Sequence, residues 1–193
     1  MTTIAQPIGQ IMLTGVRLSF PALFEPEEFK PGDEPKYKAT FLIQKGSPQV
    51  ERVEAAILAV LREKFPKAGE AEKKIAAIRN NPNKFNWQDG DSKEYDGYAG
   101  MMALSAKSKV GQRPTVIDGN KTPLTAKDGK PYAGCYVNAS VAFFTYDSSG
   151  LGVSASIRGV QFLRDGDAFA AGRPADSDEF EEVTEGADAA EFA

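Results

Sequence analysis

The sequence predicts a mainly β protein: a five-stranded OB-like Greek-key barrel with a helical insertion and a disordered acidic C-terminal tail. Three observations predict it: β-rich runs separated by turn residues, one helical stretch between two such runs, and acidic residues concentrated at the C-terminus. At 193 residues the chain suits one domain. We expect the barrel to span residues 1–175, the insertion about 48–80 and the tail 176–193.

The N-terminal third contains two strand patterns separated by a loop. Ile11–Phe20 is rich in β-formers, and Gly15 marks a bulge or a barrel bend within it. Phe20–Pro35 carries four prolines and several acids, which is typical of a loop. Lys36–Lys45 is the cleaner strand pattern: Tyr37, Ala39, Phe41 and Ile43 fall on one face, and Lys36, Lys38, Thr40 and Gln44 fall mostly on the other.

The insertion begins at Ser47-Pro48, where serine is a good N-cap and proline suits the first helical turn. Apolar residues then recur at helical spacing as far as Phe65, and Pro66 ends the helix. A second, shorter helix is predicted from about Gly69 to Arg79.

The remaining body is predicted to be β structure. Strands are expected at Tyr98–Lys109 and Arg113–Ile117, followed by a long loop with two glycine turns. Cys135–Asp147 and Leu151–Arg164 are two long β runs joined as a hairpin. Among familiar architectures the OB barrel is nearest, although the pattern fits an unspecified β-barrel or sandwich equally well.

Composition excludes several classes of enzyme. The chain has no histidine and one cysteine, so histidine-dependent nucleophiles and zinc sites built from histidine or several cysteines are excluded. We expect no cofactor, no metal and no enzymatic activity. The N-terminus lacks a signal peptide and no apolar run could span a membrane, so we expect a cytoplasmic location.

Charge is distributed unevenly. The net charge is −4, but residues 176–193 hold eight acidic residues and no basic ones. The rest of the chain therefore has 23 basic and 19 acidic residues, a net charge of +4. A mildly basic body with an acidic tail is typical of some nucleic-acid-binding proteins.

A protein that binds single strands without sequence preference needs cations for phosphates and aromatic faces for bases. Both occur on the predicted strands and loops. The candidate DNA-binding residues are Lys36, Lys38, Trp87, Tyr98, Lys107, Lys109, Arg113, Tyr132, Tyr136 and Arg158. Taken singly, an outward lysine is usually a solvated charge, and a tryptophan or tyrosine usually packs in a core. The prediction depends on the set as a whole.

The tail is too acidic and too poor in aliphatic residues to fold alone. Its candidate partner-binding residues are Asp178, Glu179, Glu181, Glu182 and Phe192. Such a segment could bind a replication or recombination protein with a basic rim around an apolar pocket. It could also compete with DNA for the protein's own groove, or serve only to keep the protein soluble.

The chain resembles the single-stranded-DNA-binding proteins of tailed phages that have an OB fold. The resemblance lies in four segments: Leu13–Pro26, Lys36–Lys45, Gly97–Lys109 and Gly134–Gly166. It implies an OB-fold body, sequence-independent binding of single-stranded DNA in the host cytoplasm, and a role in phage replication or recombination. Single-strand binders more widely end in acidic tails with a terminal or near-terminal aromatic residue, and the tail with its penultimate Phe192 is similar, although Ala193 follows it.

Two other functional classes remain open. One is a phage structural or assembly domain without DNA affinity. The other is a carboxylate-metal nuclease that would use Asp89, Asp91, Glu94 and Asp96, although acids in such a loop are usually solvated turn residues. Homo-oligomerisation is also left open by the sequence.

Overall fold

The computed structural model describes residues 6–170, which contain seven strands and two helices. The predicted tail, with its five candidate residues, lies outside the described residues. The elements in chain order are β1 (Gln10–Glu27), β2 (Lys36–Gln44), α1 (Pro48–Lys64), α2 (Glu70–Ile78), β3 (Trp87–Asp89), β4 (Met101–Lys109), β5 (Thr115–Ile117), β6 (Tyr136–Tyr146) and β7 (Gly152–Arg164).

The strands form one sheet in the order β3-β4-β2-β1-β6-β7-β5. All neighbours are antiparallel except β5 and β7, which are parallel. The mainly β class and the β6–β7 hairpin are therefore confirmed. The sheet has seven strands and not the five of the predicted barrel, because the three-residue strands β3 and β5 extend its two edges. β5 lies within the predicted short strand Arg113–Ile117, whereas β3 was not predicted.

Strand β1 is longer than predicted. It continues to Glu27, so the prediction of a loop from Phe20 onward was wrong for residues 21–27. Pro21 and Pro26 fall between paired residues at two register shifts against β2. A bulged residue has no ladder hydrogen bond to donate, so proline is tolerated there. Gly15 lies at a third register shift, against β6, with φ of +61°, which confirms the predicted bulge.

The two predicted helices are confirmed. The Ser47 hydroxyl accepts a hydrogen bond from the Gln49 N–H, and Pro48 occupies the first turn of α1. Gln49 also exchanges two 2.8 Å hydrogen bonds with the backbone of Thr14, which fixes the start of α1 against β1. The apolar face of α1 joins the core that the inward faces of the strands form. The helices therefore cover the side of the sheet on which the core lies.

The two ends of the sheet approach each other across the core. The Ser108 hydroxyl on β4 donates to the Ile157 carbonyl and accepts from the Ile157 N–H, both at 3.0 Å. Ile157 lies on β7, which is not a ladder neighbour of β4. The sheet therefore curls until these strands are joined through one side chain. Within residues 6–170, neither helix is long and apolar enough to cross a membrane.

Candidate nucleic-acid interface

Four predicted lysines lie together on the outer face of β2 and β4. The antiparallel register places Lys36 opposite Lys109 and Lys38 opposite Lys107. Their neighbours along each strand point into the core, because successive side chains alternate between faces. We call these four residues the lysine cluster. Its two cross-strand pairs concentrate positive charge on a few residues of sheet.

Like charges placed directly opposite each other repel, and the surroundings offset this only in part. Lys38 forms a 2.8 Å ion pair with Glu27. Partial burial, followed by repulsion from Lys36 and Lys38, lowers the pKa of Lys107. The Lys107 ammonium also lies 5.3 Å from the ring centre of Phe29, which is 73% exposed. A phosphate bound here would relieve the repulsion between the lysines.

Three aromatic side chains form a second group on the same face. The ring centres of Phe20 and Tyr95 are 5.0 Å apart, and those of Tyr95 and Tyr98 are 5.2 Å apart, both edge to face. Phe20 is 41% exposed and Tyr95 54%. We call these three residues the aromatic cluster. It presents two accessible rings supported from below by a third.

Phe20 owes its direction to the β1 bulge. Its φ is +46°, a left-handed conformation that a bulky residue rarely adopts and that costs on the order of 1–3 kcal/mol. Tyr98 is buried, and its hydroxyl donates to the Ser19 hydroxyl at 3.3 Å. Burial raises the pKa of Tyr98. The cluster is therefore a supported structure and not a set of free side chains.

Small polar residues connect the two clusters. Ser19 pairs with Thr40 on β2, and Thr40 pairs with Ser105 on β4. The Thr40 and Ser105 hydroxyls lie 3.3 Å apart. The next cross-strand pair towards the lysines is Lys38 and Lys107. Cations, hydroxyls and aromatic rings thus follow one another along a single face.

A third group extends this face across β1, β6 and β7. Tyr136 pairs with Arg17 on one side and with Arg164 on the other. The guanidinium carbons lie 5.5 Å and 3.6 Å from its ring centre, respectively. Arg17 also donates to the backbone carbonyls of Gly134 and Asp167 at 3.2 Å and 2.7 Å. Tyr136, a predicted site residue, is therefore stacked between two cations.

Three further predicted residues are two exposed arginines, Arg113 and Arg158, and the half-buried Tyr132. Arg113 is exposed in the turn after β4, and Arg158 is exposed on β7 next to Ile157. In the described part of the chain neither arginine has an ion-pair partner. Tyr132 is half-buried, and its hydroxyl donates to Asp165 while accepting from the Gly166 N–H. It therefore fastens the segment that follows β7.

Trp87 requires a correction. It is only 1% exposed, and its indole N–H donates to Glu54 at 2.7 Å. Arg79 donates to both oxygens of the same carboxylate, at 3.0 Å and 2.9 Å. Burial alone would raise the pKa of Glu54, but the hydrogen bonds from Arg79 and Trp87 outweigh it and lower that pKa. Trp87 belongs to the core and has no face for a base, and Tyr98 at 3% exposure supports other rings instead of offering its own.

Four residues of this face were not among the predicted site residues: Phe20, Phe29, Tyr95 and Arg17. The proline-rich context of Phe20 and Phe29 indicated a loop, which hid their position beside the sheet. A signal was available for Arg17, because it lies two residues beyond the bulge-forming Gly15 on an outward strand position.

The acidic loop considered for a metal has another role. Lys45 forms ion pairs of 2.6 Å and 2.5 Å with Asp89 and Asp91. Hydrogen bonding to Lys45 is the main cause of the lowered pKa of both carboxyls. Within residues 6–170 there is no cluster of three or more acidic or cysteine side chains suited to a metal ion. Two of the loop acids, Asp89 and Asp91, thus bind Lys45 and the backbone of their own loop.

Comparison with known proteins gives consistent results. A family model described as "Enterobacter phage Enc34, ssDNA-binding protein" matches residues 9–192. Protein p50 of Acyrthosiphon pisum secondary endosymbiont phage 1 is 53% identical over 176 residues, covering 91% of this chain and 94% of that protein.

Two solved structures share the fold. The single-stranded DNA-binding protein of bacteriophage Enc34, solved in complex with ssDNA, has a TM-score of 0.69 at 23% identity, covering 84% of this chain and 90% of that one. Gp2.5, a single-stranded DNA binding protein encoded by bacteriophage T7, has a TM-score of 0.53 at 14% identity, covering 92% and 97%. Because the family model spans nearly the whole sequence, the chain belongs to the family of the ssDNA-binding protein of Enterobacter phage Enc34.

Proposed function

We propose that this protein binds single-stranded DNA without sequence preference, and coats and protects it during phage DNA replication or recombination in the host cytoplasm. The observation that carries the proposal is the arrangement of the lysine cluster and the aromatic cluster on one face of the sheet. Family membership supports it independently. The protein acts by binding and not by catalysis.

In this proposal the two clusters hold different parts of the strand. The lysine cluster binds phosphates and releases their counterions, so affinity falls linearly with the logarithm of salt concentration. The aromatic cluster stacks bases, which contributes about 1–3 kcal/mol per base and needs no particular sequence. The hydroxyls of Ser19, Thr40 and Ser105 line the face between them. Arg113, Tyr136 and Arg158 are assigned to the outer parts of the same path.

We further propose that the body, residues 1–175, works as an OB-type barrel in which five strands close through the Ser108–Ile157 contact. That contact joins β4 to β7, which are the two outer strands of the five (β4, β2, β1, β6 and β7). Small barrels of this kind present one sheet face to single-stranded nucleic acid. β3 and β5 are additions at the two edges.

The acidic tail is proposed to recruit a replication or recombination protein or to compete with DNA. The last described residues before it support competition, since they lie on the proposed interface. Phe169 packs against Leu42 and Tyr98, and its ring centre lies 4.5 Å from the Arg17 guanidinium. Ending the chain before Asp176 should preserve or strengthen DNA binding and lose partner contacts. A truncated protein that no longer binds DNA would contradict this role for the tail.

The test of the proposal is fluorescence anisotropy with labelled oligo-dT, with a duplex of equal length as competitor. We expect tight binding that weakens with salt and that the duplex fails to displace. A folded protein that binds no oligonucleotide even at low salt would overturn the proposal. It would favour a phage structural domain that shares the fold.

A further inference from the structure

We propose that Phe20 and Tyr95 form a base-binding subsite whose neighbouring carboxylates, chiefly Glu94, accept a hydrogen bond from the amino group of the stacked base. The subsite would therefore disfavour thymine, the one DNA base without an amino group. This inference rests on the proposed single-stranded-DNA binding and replaces its lack of sequence preference with a preference among bases at this one subsite.

The first step is that the two rings are held ready for a flat ligand. Phe20 is turned off the β1 ladder by its bulge and left-handed backbone, and it meets Tyr95 edge to face. Tyr95 in turn lies on Tyr98, which is anchored through its hydroxyl to Ser19. Both outer rings remain about half exposed although they pack on each other. Rings fixed in this way lose little side-chain entropy when a base stacks on them.

The second step is the charge around the rings. A cleft beside them is lined by Phe20, Tyr95, Glu94 and Asp96, together with Phe169 and other residues of the C-terminal segment. Asp96 accepts a 3.0 Å hydrogen bond from the Ala170 N–H, whereas Glu94 has no hydrogen-bond or ion-pair partner among residues 6–170. A phosphate would be repelled from this cleft. The part of the strand that enters it must be uncharged, and of the uncharged parts the base is the one that stacks on the two rings.

The third step is the chemistry of the base edge. A carboxylate has only acceptor oxygens, and it pairs with donors such as the N4 amino group of cytosine. Adenine and guanine also carry amino groups. Thymine has a single ring N–H flanked by two carbonyl oxygens, which a carboxylate repels. The lysine cluster on the adjoining part of the face would meanwhile hold the phosphates, so the strand would pass with its backbone over the lysines and a base in the cleft.

The experiment compares oligo-dC with oligo-dT of the same length by anisotropy, at a pH where cytosine is uncharged, for the full-length protein and the Glu94→Gln variant. The quantity measured is the ratio of the two affinities, so that intrinsic differences between the oligonucleotides cancel. We expect the dC-to-dT ratio to fall by about fivefold to tenfold in Glu94→Gln, as for loss of one hydrogen bond to a charged group. Glu63→Gln, on the exposed side of α1, makes the same charge change and should leave the ratio unaltered.

One further variant separates the ring from the carboxylate. Tyr95→Ala removes the stacking face and should weaken binding of both oligonucleotides. A Glu94→Gln protein with the wild-type ratio would overturn the inference, including the case in which both affinities rise together through loss of general repulsion. Wild-type protein that binds neither oligonucleotide would instead overturn the proposed function itself.

Discussion

The lysine cluster and the aromatic cluster occupy neighbouring parts of one sheet face but are built in opposite ways. Strand register alone brings the lysines together, and partial burial, followed by repulsion from its lysine neighbours, lowers the pKa of Lys107. The aromatic residues come from a bulge and a loop, and contacts between their rings hold them in place. The first group would bind by charge and the second by shape. Their contributions should therefore respond differently to salt, pH and mutation.

Each cluster also contains a feature that destabilises the folded protein locally and that folding alone does not explain. Four lysines face each other in two pairs, and Phe20 adopts a left-handed backbone. Strained or repulsive features of this kind concentrate at functional sites, where a ligand relieves or uses them. The rest of the sheet, by contrast, pairs regularly around an apolar core.

The largest effect is expected from removing the lysine cluster. Changing Lys36, Lys38, Lys107 and Lys109 together to alanine should weaken oligo-dT binding on the order of 100-fold at low salt and reduce the slope of log affinity against log salt by about 3. Anisotropy across a salt series measures both. The control changes two exposed lysines of the helical region, Lys67 and Lys73, to alanine, and it should keep the wild-type slope. An unchanged slope in the four-lysine variant would place the phosphate contacts elsewhere.

Removing the exposed aromatic rings should have a somewhat smaller effect of a different kind. The double change Phe20→Ala and Tyr95→Ala should cost about 2 kcal/mol of binding free energy, roughly 30-fold in affinity, through lost stacking. The salt slope should stay at its wild-type value because no phosphate contact is lost. If the slope fell together with the affinity, the distinction between the clusters would not hold.

A smaller effect is expected from pH. The pKa of Lys107 is lowered in the free protein, and a bound phosphate favours the charged form. Affinity should therefore fall several-fold as pH rises towards the ordinary lysine range, because Lys107 loses its proton before ordinary lysines do. Lys107→Arg, which stays charged throughout, should flatten this dependence. An equally steep fall in Lys107→Arg would assign the titration to another group.

The smallest effect on DNA binding is expected from breaking the hydrogen bond between Trp87 and Glu54. Glu54→Ala leaves the buried indole N–H without its acceptor and should lower the free energy of unfolding by about 2 kcal/mol, with DNA affinity unchanged. Because the folded pKa of Glu54 is lowered, its stabilising contribution is present at neutral pH and is lost as pH falls through that pKa. Trp87 is the single tryptophan, so its fluorescence can be followed directly. Strong quenching by stacking with oligo-dT would show that Trp87 is accessible after all.

The sequence predicted the lysine cluster because the alternation around Lys36 and Lys38 and the outward positions before Lys109 determine the face of each lysine. It did not predict the burial of Trp87, since the acceptor that holds the indole is Glu54, 33 residues away on α1. Phe20 was missed for a related reason. A non-glycine residue with positive φ leaves no mark in composition, and two prolines concealed the strand around it.

The most direct test of the central claim, that the outer face of β1, β2 and β4 binds the strand, is ultraviolet cross-linking of the full-length protein to oligo-dT followed by peptide mapping. We predict cross-links at Phe20, Phe29 or Tyr95, and their loss from the four-lysine variant at low salt. Cross-links confined to Phe144 and Tyr146 near the far end of β6, with none on the predicted face, would contradict the account.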